Sequence, residues 1–363
     1  MPPPTLNPIK KSPIIHGIMG DNSNSPHTQK VVVLITTFHR PKLLASLLNS
    51  LQSESTSYHI EYYIYDDAVT NNGKHKFWLT INRLWEQIRD KRFDYYIHIQ
   101  DDYSLGKNFI SKVVGLWDSI DDPFKIGLNI FLDEFRVGKK VWVDKWPELR
   151  YYNKTRFLLN PWLDMAFICT RNLFDLLDWK ILPISMQRWR HKPNLSSGVG
   201  AQISIRLFMK GKNMYQVTRS QVEHIGSDSK MNPEIRKQEP LIAFSLPLIF
   251  AAFEAKDLES TDYNMIISEL TRFVDRIYFF APEGSTAPVV NSDFKDKVGV
   301  INYPGDQITF KNKVDIIKSL HRSEFYLFHN VEHAACSAPY IWNSIRQMED
   351  GHSNIDQFVK IIV

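Results

Sequence analysis

Two cysteines, Cys169 and Cys336, are all that the chain carries. They cannot form a disulfide framework, which excludes a small secreted fold stapled by bridges. Long apolar runs are missing too. The stretch 240–253 is nearly apolar but contains Pro240 and Pro247, and it falls about one third short of a bilayer span. The first 29 residues, rich in Pro, Asn and Ser, lack the apolar core of a signal peptide and read as a flexible tail. The chain therefore reads as cytoplasmic, with no membrane span. Charge of one sign is scarce as well. Lys and Arg number 44 against 40 Asp and Glu, a net charge of +4, which by itself does not mark a nucleic-acid binder. What is present is ordinary apolar content, 43% of 363 residues, enough for two compact domains or one domain with an addition. Aromatic content is 13%; most of these rings belong in a core, and some are available to stack on sugars or bases.

Order begins at Lys30. Val31-Val-Val-Leu-Ile35 is a continuous β-branched run, the pattern of a strand buried on both faces of a parallel sheet. Leucines at 43, 44, 47, 48 and 51 follow at helical spacing behind Pro41. A second strand, 62–65, ends in Asp66-Asp67; a helix spans about 78–89; a third strand, 95–99, ends in Gln100-Asp101-Asp102. This alternation predicts right-handed crossovers and a parallel sheet, with ligands off the carboxyl ends of its strands. Further strands are expected at 125–132, 165–169, 215–218 and 222–226, and a helix at 201–210 ended by Gly211. The polar stretch 227–239 separates this 30–238 domain from a second βαβ series over 239–363. The segment 92–102 can be laid over 322–332, with Asn330-Val331-Glu332 in place of Gln100-Asp101-Asp102. That match suggests a duplication whose second copy lost its acidic pair.

Adjacent carboxylates at a strand end can hold Mg²⁺ or Mn²⁺ through oxygen, with water and phosphate oxygens completing the shell. Such an ion neutralises a diphosphate leaving group. The plainer reading of Asp101-Asp102 is a cap on the next turn, and the placement of Arg40 and Asp66/Asp67 at the neighbouring strand ends favours the site.

The ordered set Val31–Pro41, Tyr65-Asp-Asp67 and His98-Ile-Gln-Asp-Asp-Tyr103 resembles nucleotide-sugar-dependent glycosyltransferases of the GT-A fold, family-two-like, over about 30–230. Gly198–Gly211 resembles their acceptor-side helix, and Val222-Glu-His-Ile-Gly226 their metal-completing strand end. The resemblance implies an α/β fold with a Rossmann-type, mostly parallel sheet flanked by helices, plus a smaller C-terminal α/β domain like an incomplete second half. It implies a donor pocket lined by Thr36, Phe38 and Arg40, with Asp66 or Asp67 on the base or ribose. Asp102, Asp101 and His224 would hold the Mn²⁺ or Mg²⁺ of a nucleotide-diphosphate sugar, a UDP-sugar foremost. The acceptor would be a glycan, another hydroxyl compound, or a modified DNA base. One departure stands out: Val199 and Gly200 replace the acidic pair that supplies the base in many inverting relatives. Asp164, then Asp228, are the remaining candidates for that base, and Lys230 sits in a lid-like stretch, 227–237, that could order over the diphosphate.

Three other motifs have plainer alternatives. His329-Asn-Val-Glu-His333 fits the H-x-x-E-H pattern of some zinc proteases, but it follows a strand-like run and precedes Pro339, whereas that chemistry needs a helix. Gln187-Arg-Trp-Arg-His-Lys192 is a basic loop with one ring, able to track phosphates as in nucleic-acid grooves or simply to face solvent. A nucleotidyltransferase would carry a glycine-rich phosphate loop after the first strand, and Thr36–Arg40 has no glycine. A catalytically inactive, nucleotide- or glycan-binding relative is the remaining alternative.

Overall fold

The structure, a computed structural model, describes residues 14–19, 28–54, 56–132, 146–163, 166–192, 195–226, 244–255, 263–285, 290, 292–305, 307–329, 338–349 and 358–361. The chain forms two compact units, one of Met1–Phe131 and Pro161–Ala243, the other of Leu132–Asn160 and Phe244–Val363. The second unit is thus discontinuous in sequence, taking in 132–160 and 244–363. Both units are mixed α/β, as expected.

In the first unit, β1 (Ile14–Met19), β2 (Lys30–Thr37), α1 (Pro41–Gln52), β3 (His59–Asp66), α2 (Asp67–Thr70), α3 (Phe77–Glu86), β4 (Tyr95–Gln100), β5 (Tyr103–Leu105), α4 (Phe109–Ser119) and β6 (Lys125–Asn129) follow in order. The chain then supplies β7 (Glu148–Tyr152) and β8 (Thr155–Leu159) to the second unit. It returns with β9 (Phe167–Cys169), α5 (Arg171–Leu176), α6 (Gln187–Arg190), α7 (Val199–Met209), β10 (Asn213–Val217) and β11 (Val222–His224). The unit's main sheet runs β1-β3-β2-β4-β9-β6-β10. Strands β2, β3 and β4 are mutually parallel, and β10 is parallel to β6. Two features depart from the sequence pattern. The three-residue β9 lies antiparallel between β4 and β6. Residues 14–19, inside the segment read as a tail, pair antiparallel with β3. There Gly17 faces Tyr62, whose ring fills the space that a Cβ would take.

Residues Val31 to Ile35 are wholly buried, so helices cover both faces of β2. On one face, Val32 and Leu34 share a hydrophobic cluster with α3 (Ile81, Leu84, Trp85), α5 (Leu173, Phe174) and α7 (Val199, Ile203, Leu207). Gly211, at φ 68°, ends the α7 turn by donating to the Phe208 carbonyl at 2.9 Å.

The second unit adds β12 (Leu248–Glu254), α8 (Tyr263–Leu270), β13 (Arg276–Pro282), β14 (Val298–Tyr303), α9 (Phe310–Leu320), β15 (Phe325–Phe328), α10 (Ala338–Glu349) and β16 (Phe358–Ile361). Its sheet order is β14-β13-β12-β15-β16, parallel except for β16. The β7–β8 hairpin belongs here because Leu149 N–H donates to the Arg272 carbonyl at 2.7 Å and Arg156 pairs with Asp275 at 2.8 Å.

The internal match now has a topological counterpart. Strand β4 lies parallel beside β2 and carries antiparallel β9 on its other side; β15 lies parallel beside β12 and carries antiparallel β16. Val31 sits opposite Tyr95 as Leu248 sits opposite Phe325. Counting along the same register, Glu254 occupies the place of Thr37, and its neighbour Phe280 the place of Asp66. Phe280 is fully buried, and Lys313 of α9 closes on Glu254 at 2.7 Å. In the second unit the strand ends are therefore filled by a ring and an internal ion pair. His329 follows β15, and Asn330 to Cys336, which include the rest of the H-x-x-E-H motif, lie outside the described residues.

Candidate functional site

The site grows from strand register in the first unit. Thr37 pairs with Asp66 and Thr36 with Gln100, so β2, β3 and β4 end level. Asp101, next in the chain, donates its N–H to the Thr36 carbonyl at 3.1 Å. A two-stranded ribbon returns the fourth component: β11 pairs antiparallel with β5, placing His224 opposite Tyr103. The imidazole lies edge-on to the Tyr103 ring at 5.5 Å and near Phe131 at 6.4 Å, and these rings fix its direction.

Arg40 stands at the centre. Its Nη1 donates to Asp102 Oδ2 at 2.5 Å and its Nε to Asp101 Oδ2 at 3.2 Å, while Nη2 pairs with Asp101 Oδ1. Thr37 Oγ1 also donates to Asp101 Oδ2, at 2.6 Å. Asp101 is fully buried; its Oδ2 accepts from Thr37 and Arg40, and its Oδ1 faces Arg40 Nη2 without a hydrogen bond among the described residues. Asp102 is held in a similar way. Its Oδ2 meets Arg40 and lies 3.4 Å from His224 Nε2, whereas its buried Oδ1 has no hydrogen-bond partner among the described residues. Burial pushes the Asp101 carboxyl up, to about 6, against the opposing pull of Arg40 and Thr37. Burial pushes Asp102 the same way, but the His224 hydrogen bond and the Arg40 charge outweigh it and hold the carboxyl below its usual range.

The residues admit a divalent cation only in part. Among the described residues, no group of three or more His, Cys, Asp or Glu is arranged to hold a metal ion. Asp102 Oδ1 is an oxygen donor of the kind such an ion takes, whereas His224 Nε2 already faces Asp102 Oδ2 at 3.4 Å.

The other expected positions divide. Thr36 is buried at the end of β2, and its Oγ1 has no partner among the described residues. Phe38 is half-buried, edge-on to His39 at 4.7 Å. His39 has φ 53°, a backbone region that non-glycine residues seldom adopt and that recurs at functional turns. Asp67 is a structural hub: its side chain accepts from Thr70 Oγ1 (2.9 Å), Thr80 Oγ1 (2.9 Å), Gly73 N (2.9 Å) and Asn72 N (3.3 Å). Asp66 uses one oxygen to cap Ala68 N at 3.0 Å and is the better placed of the two to meet a ligand. Asp164, Asp228 and Lys230 lie outside the described residues. Val199 and Gly200 are buried at the start of α7, so no base stands there. Trp189, the ring of the basic stretch, is buried and donates its indole N–H to the Leu195 carbonyl at 3.1 Å; it offers no platform for a base.

Two contributors were not singled out from sequence. Thr37 could have been found, because adjacent threonines at a strand end must point to opposite faces. Gly226 had no such signal. Its backbone passes so close that an added Cβ would lie 2.8 Å from Asp102 Cβ and 3.0 Å from Oδ2. Arg40 and His224 pin Asp102, so it cannot easily give way. Gly226→Ala is expected to destabilise the fold by about 1–3 kcal/mol and to weaken nucleotide binding further than its lowered Tm accounts for. Calorimetric titration at a temperature where the variant is folded checks this.

No family model matches the chain, and no curated protein does. Among solved structures, the apo form of the glycosyltransferase GlyE of Streptococcus pneumoniae TIGR4 is 8% identical over 81% of this chain and 83% of that chain, with a TM-score of 0.26. A second GlyE structure is 7% identical over 80% and 84%, with a TM-score of 0.27. Likeness at that depth says nothing of this chain's chemistry. Among the described residues, no helix is long and apolar enough to cross a membrane.

Proposed function

We propose that the first unit is a glycosyltransferase site that takes a nucleotide-diphosphate sugar and transfers the sugar to an acceptor hydroxyl. One observation carries this reading: three level strand ends and a returning ribbon bring Arg40, Asp66, Asp101, Asp102 and His224 to one edge of a parallel sheet. That edge is where α/β sheets bind ligands. Asp66 and Thr36 would receive the nucleoside. Asp101, held by Thr37 and Arg40, would organise the pocket. Asp102 Oδ1 and His224 would hold Mn²⁺ or Mg²⁺, whose contribution when bound is to offset the diphosphate's charge as it leaves. The resemblance points to a UDP-sugar as donor and to a glycan, another hydroxyl compound or a modified DNA base as acceptor. The buried Val199-Gly200 pair favours a second reading, an inactive relative that binds nucleotide without turnover.

The test is nucleotide release from UDP-, GDP-, TDP- and CMP-sugars with Mn²⁺ or with EDTA. Slow release from one donor, abolished by EDTA, is expected. Calorimetry with the matching nucleotide is expected to find one site per chain, because Phe280 and the Glu254–Lys313 pair fill the second unit's strand ends. Binding without release would favour the inactive relative. No binding of any nucleotide would overturn both readings.

A further inference from the structure

We propose that α7 and the chain running beside it form a surface that seats the protein on an anionic phospholipid membrane. The inference goes beyond the transferase reading and does not rest on it. Charge is the first observation. The whole chain nearly balances, with 44 Lys and Arg against 40 Asp and Glu, yet between Asp178 and Glu223 it carries eight Lys or Arg and no acidic residue. Apolar exposure is the second. In the same stretch Leu182, Met186 and Met209 are 48%, 60% and 79% exposed. Single exposed apolar side chains are ordinary; three of them interleaved with cations on one face are not.

Hydrogen bonds put these residues on one face. Helix α7 turns Val199, Ile203 and Leu207 into the core. On its flank, Gln202 clasps the Leu182 backbone, accepting from its N–H at 2.6 Å and donating to its carbonyl at 2.9 Å. One turn further, Arg206 donates to the Leu177 carbonyl at 2.7 Å and to the Lys180 carbonyl, and lies 3.4 Å from Asp178. The chain from 177 to 182 therefore lies along α7. Beyond it, Arg188 donates from Nε to the Ser196 carbonyl at 3.2 Å, which ties α6 to the start of α7. Ile181 and Trp189 are buried. Lys180, Leu182, Met186 and Arg190 are left to solvent, as are Met209 and Lys210 at the far end of α7.

The combination selects the partner. A basic face attracts the phosphates of a nucleic acid or of lipid headgroups alike. Nucleic acid rewards cations, polar contacts and exposed rings that stack on bases. Here the ring, Trp189, is turned inward, and protruding Leu and Met gain nothing from a phosphate backbone. An anionic bilayer surface rewards both halves of the pattern. Its headgroups meet Lys and Arg, and the acyl boundary behind them takes the apolar side chains out of water.

The experiment is sedimentation of the full chain with vesicles of phosphatidylcholine alone, or of equal parts phosphatidylcholine and phosphatidylglycerol, with labelled duplex DNA as the competing polyanion. Wild type is expected to bind the mixed vesicles about tenfold or more tightly than the neutral ones, and less tightly as salt is raised. Arg190→Gln with Lys192→Gln is expected to weaken that binding by about fivefold per charge removed. Met186→Ser with Met209→Ser is expected to weaken it by about tenfold, although no charge changes. All four positions are exposed, and a thermal melt checks each pair; should one pair fail to fold, the other decides. No binding to mixed vesicles overturns the proposal. Binding to duplex DNA as tight as to vesicles, with the methionine pair behaving like wild type, assigns the face to nucleic acid and overturns it too.

Discussion

Asp102→Ala is expected to lower release of nucleotide from the donor sugar by on the order of 10²–10³-fold, the loss typical when a preorganised group facing developing charge is removed. The expected loss is that large because Asp102 sits between Arg40 and His224 at the level strand ends, and its Oδ1 accepts no hydrogen bond among the described residues. The same substitution should leave the fold intact. In the wild type, two buried carboxylates share one guanidinium, an excess of one negative charge, and the Asp102 charge helps raise the Asp101 carboxyl. Removing Asp102 leaves Arg40 and Asp101 as a balanced pair, so the Asp101 carboxyl should fall from its raised value, while the lost contacts of Asp102 with Arg40 and His224 should lower Tm modestly. Initial rates at saturating donor and Mn²⁺, set beside a thermal melt, separate the two effects. Turnover within a few-fold of wild type would remove Asp102 from the reaction. Loss of turnover together with a collapsed melt would show that Asp102 is needed for folding instead.

The parts of this site legible in the sequence were those that strand burial announces. Strands covered on both faces read as nearly continuous apolar runs, so Val31–Ile35 and, His98 apart, Tyr95–Ile99 marked themselves, and the polar residues after them fall on one sheet edge. Direction and detail were not legible. The run Phe167–Cys169 is three residues long and shows nothing of its antiparallel insertion between β4 and β6, which the chain's path decides. Ile14–Met19 is strand only because β3 offers an open edge. At the site, adjacent aspartates look alike in sequence and differ in the fold. Asp66 caps a turn and Asp67 closes it; Asp101 is held by Thr37 and Arg40, Asp102 by Arg40 and His224. Each pair is split by the alternation of the backbone and by neighbours distant in sequence, Thr80 for Asp67 and His224 for Asp102.

The assignment of 132–160 to the second unit rests on a contact that should be costly to break. Arg156 of β8 donates to the Leu246 and Pro247 carbonyls at 2.8 Å each and to Asp275 Oδ2 at 2.8 Å; that oxygen also accepts from Ile249 N at 2.8 Å, and Tyr151 bonds Asp275 Oδ1. Burial pushes the Asp275 carboxyl up, to about 7, and the Arg156 guanidinium down, to about 9. The Ile249 N–H and the charge of Lys297 oppose the carboxyl's shift. Asp275→Ala strands a buried guanidinium and leaves the Ile249 N–H and the Tyr151 hydroxyl without acceptors, so it is expected to cost about 3–5 kcal/mol. Asp275→Leu with Arg156→Met removes both charges and refills the volume, and is expected to recover much of that loss. Urea unfolding of the full chain gives the comparison, read at the transition that exposes Trp342, a fully buried ring of the second unit's core. A cost under about 1 kcal/mol for Asp275→Ala would place the pair among screened, surface-like contacts. The hairpin's anchor would then be its apolar residues, Leu149 and Leu158, packed in the cluster with Ile249 and Trp342.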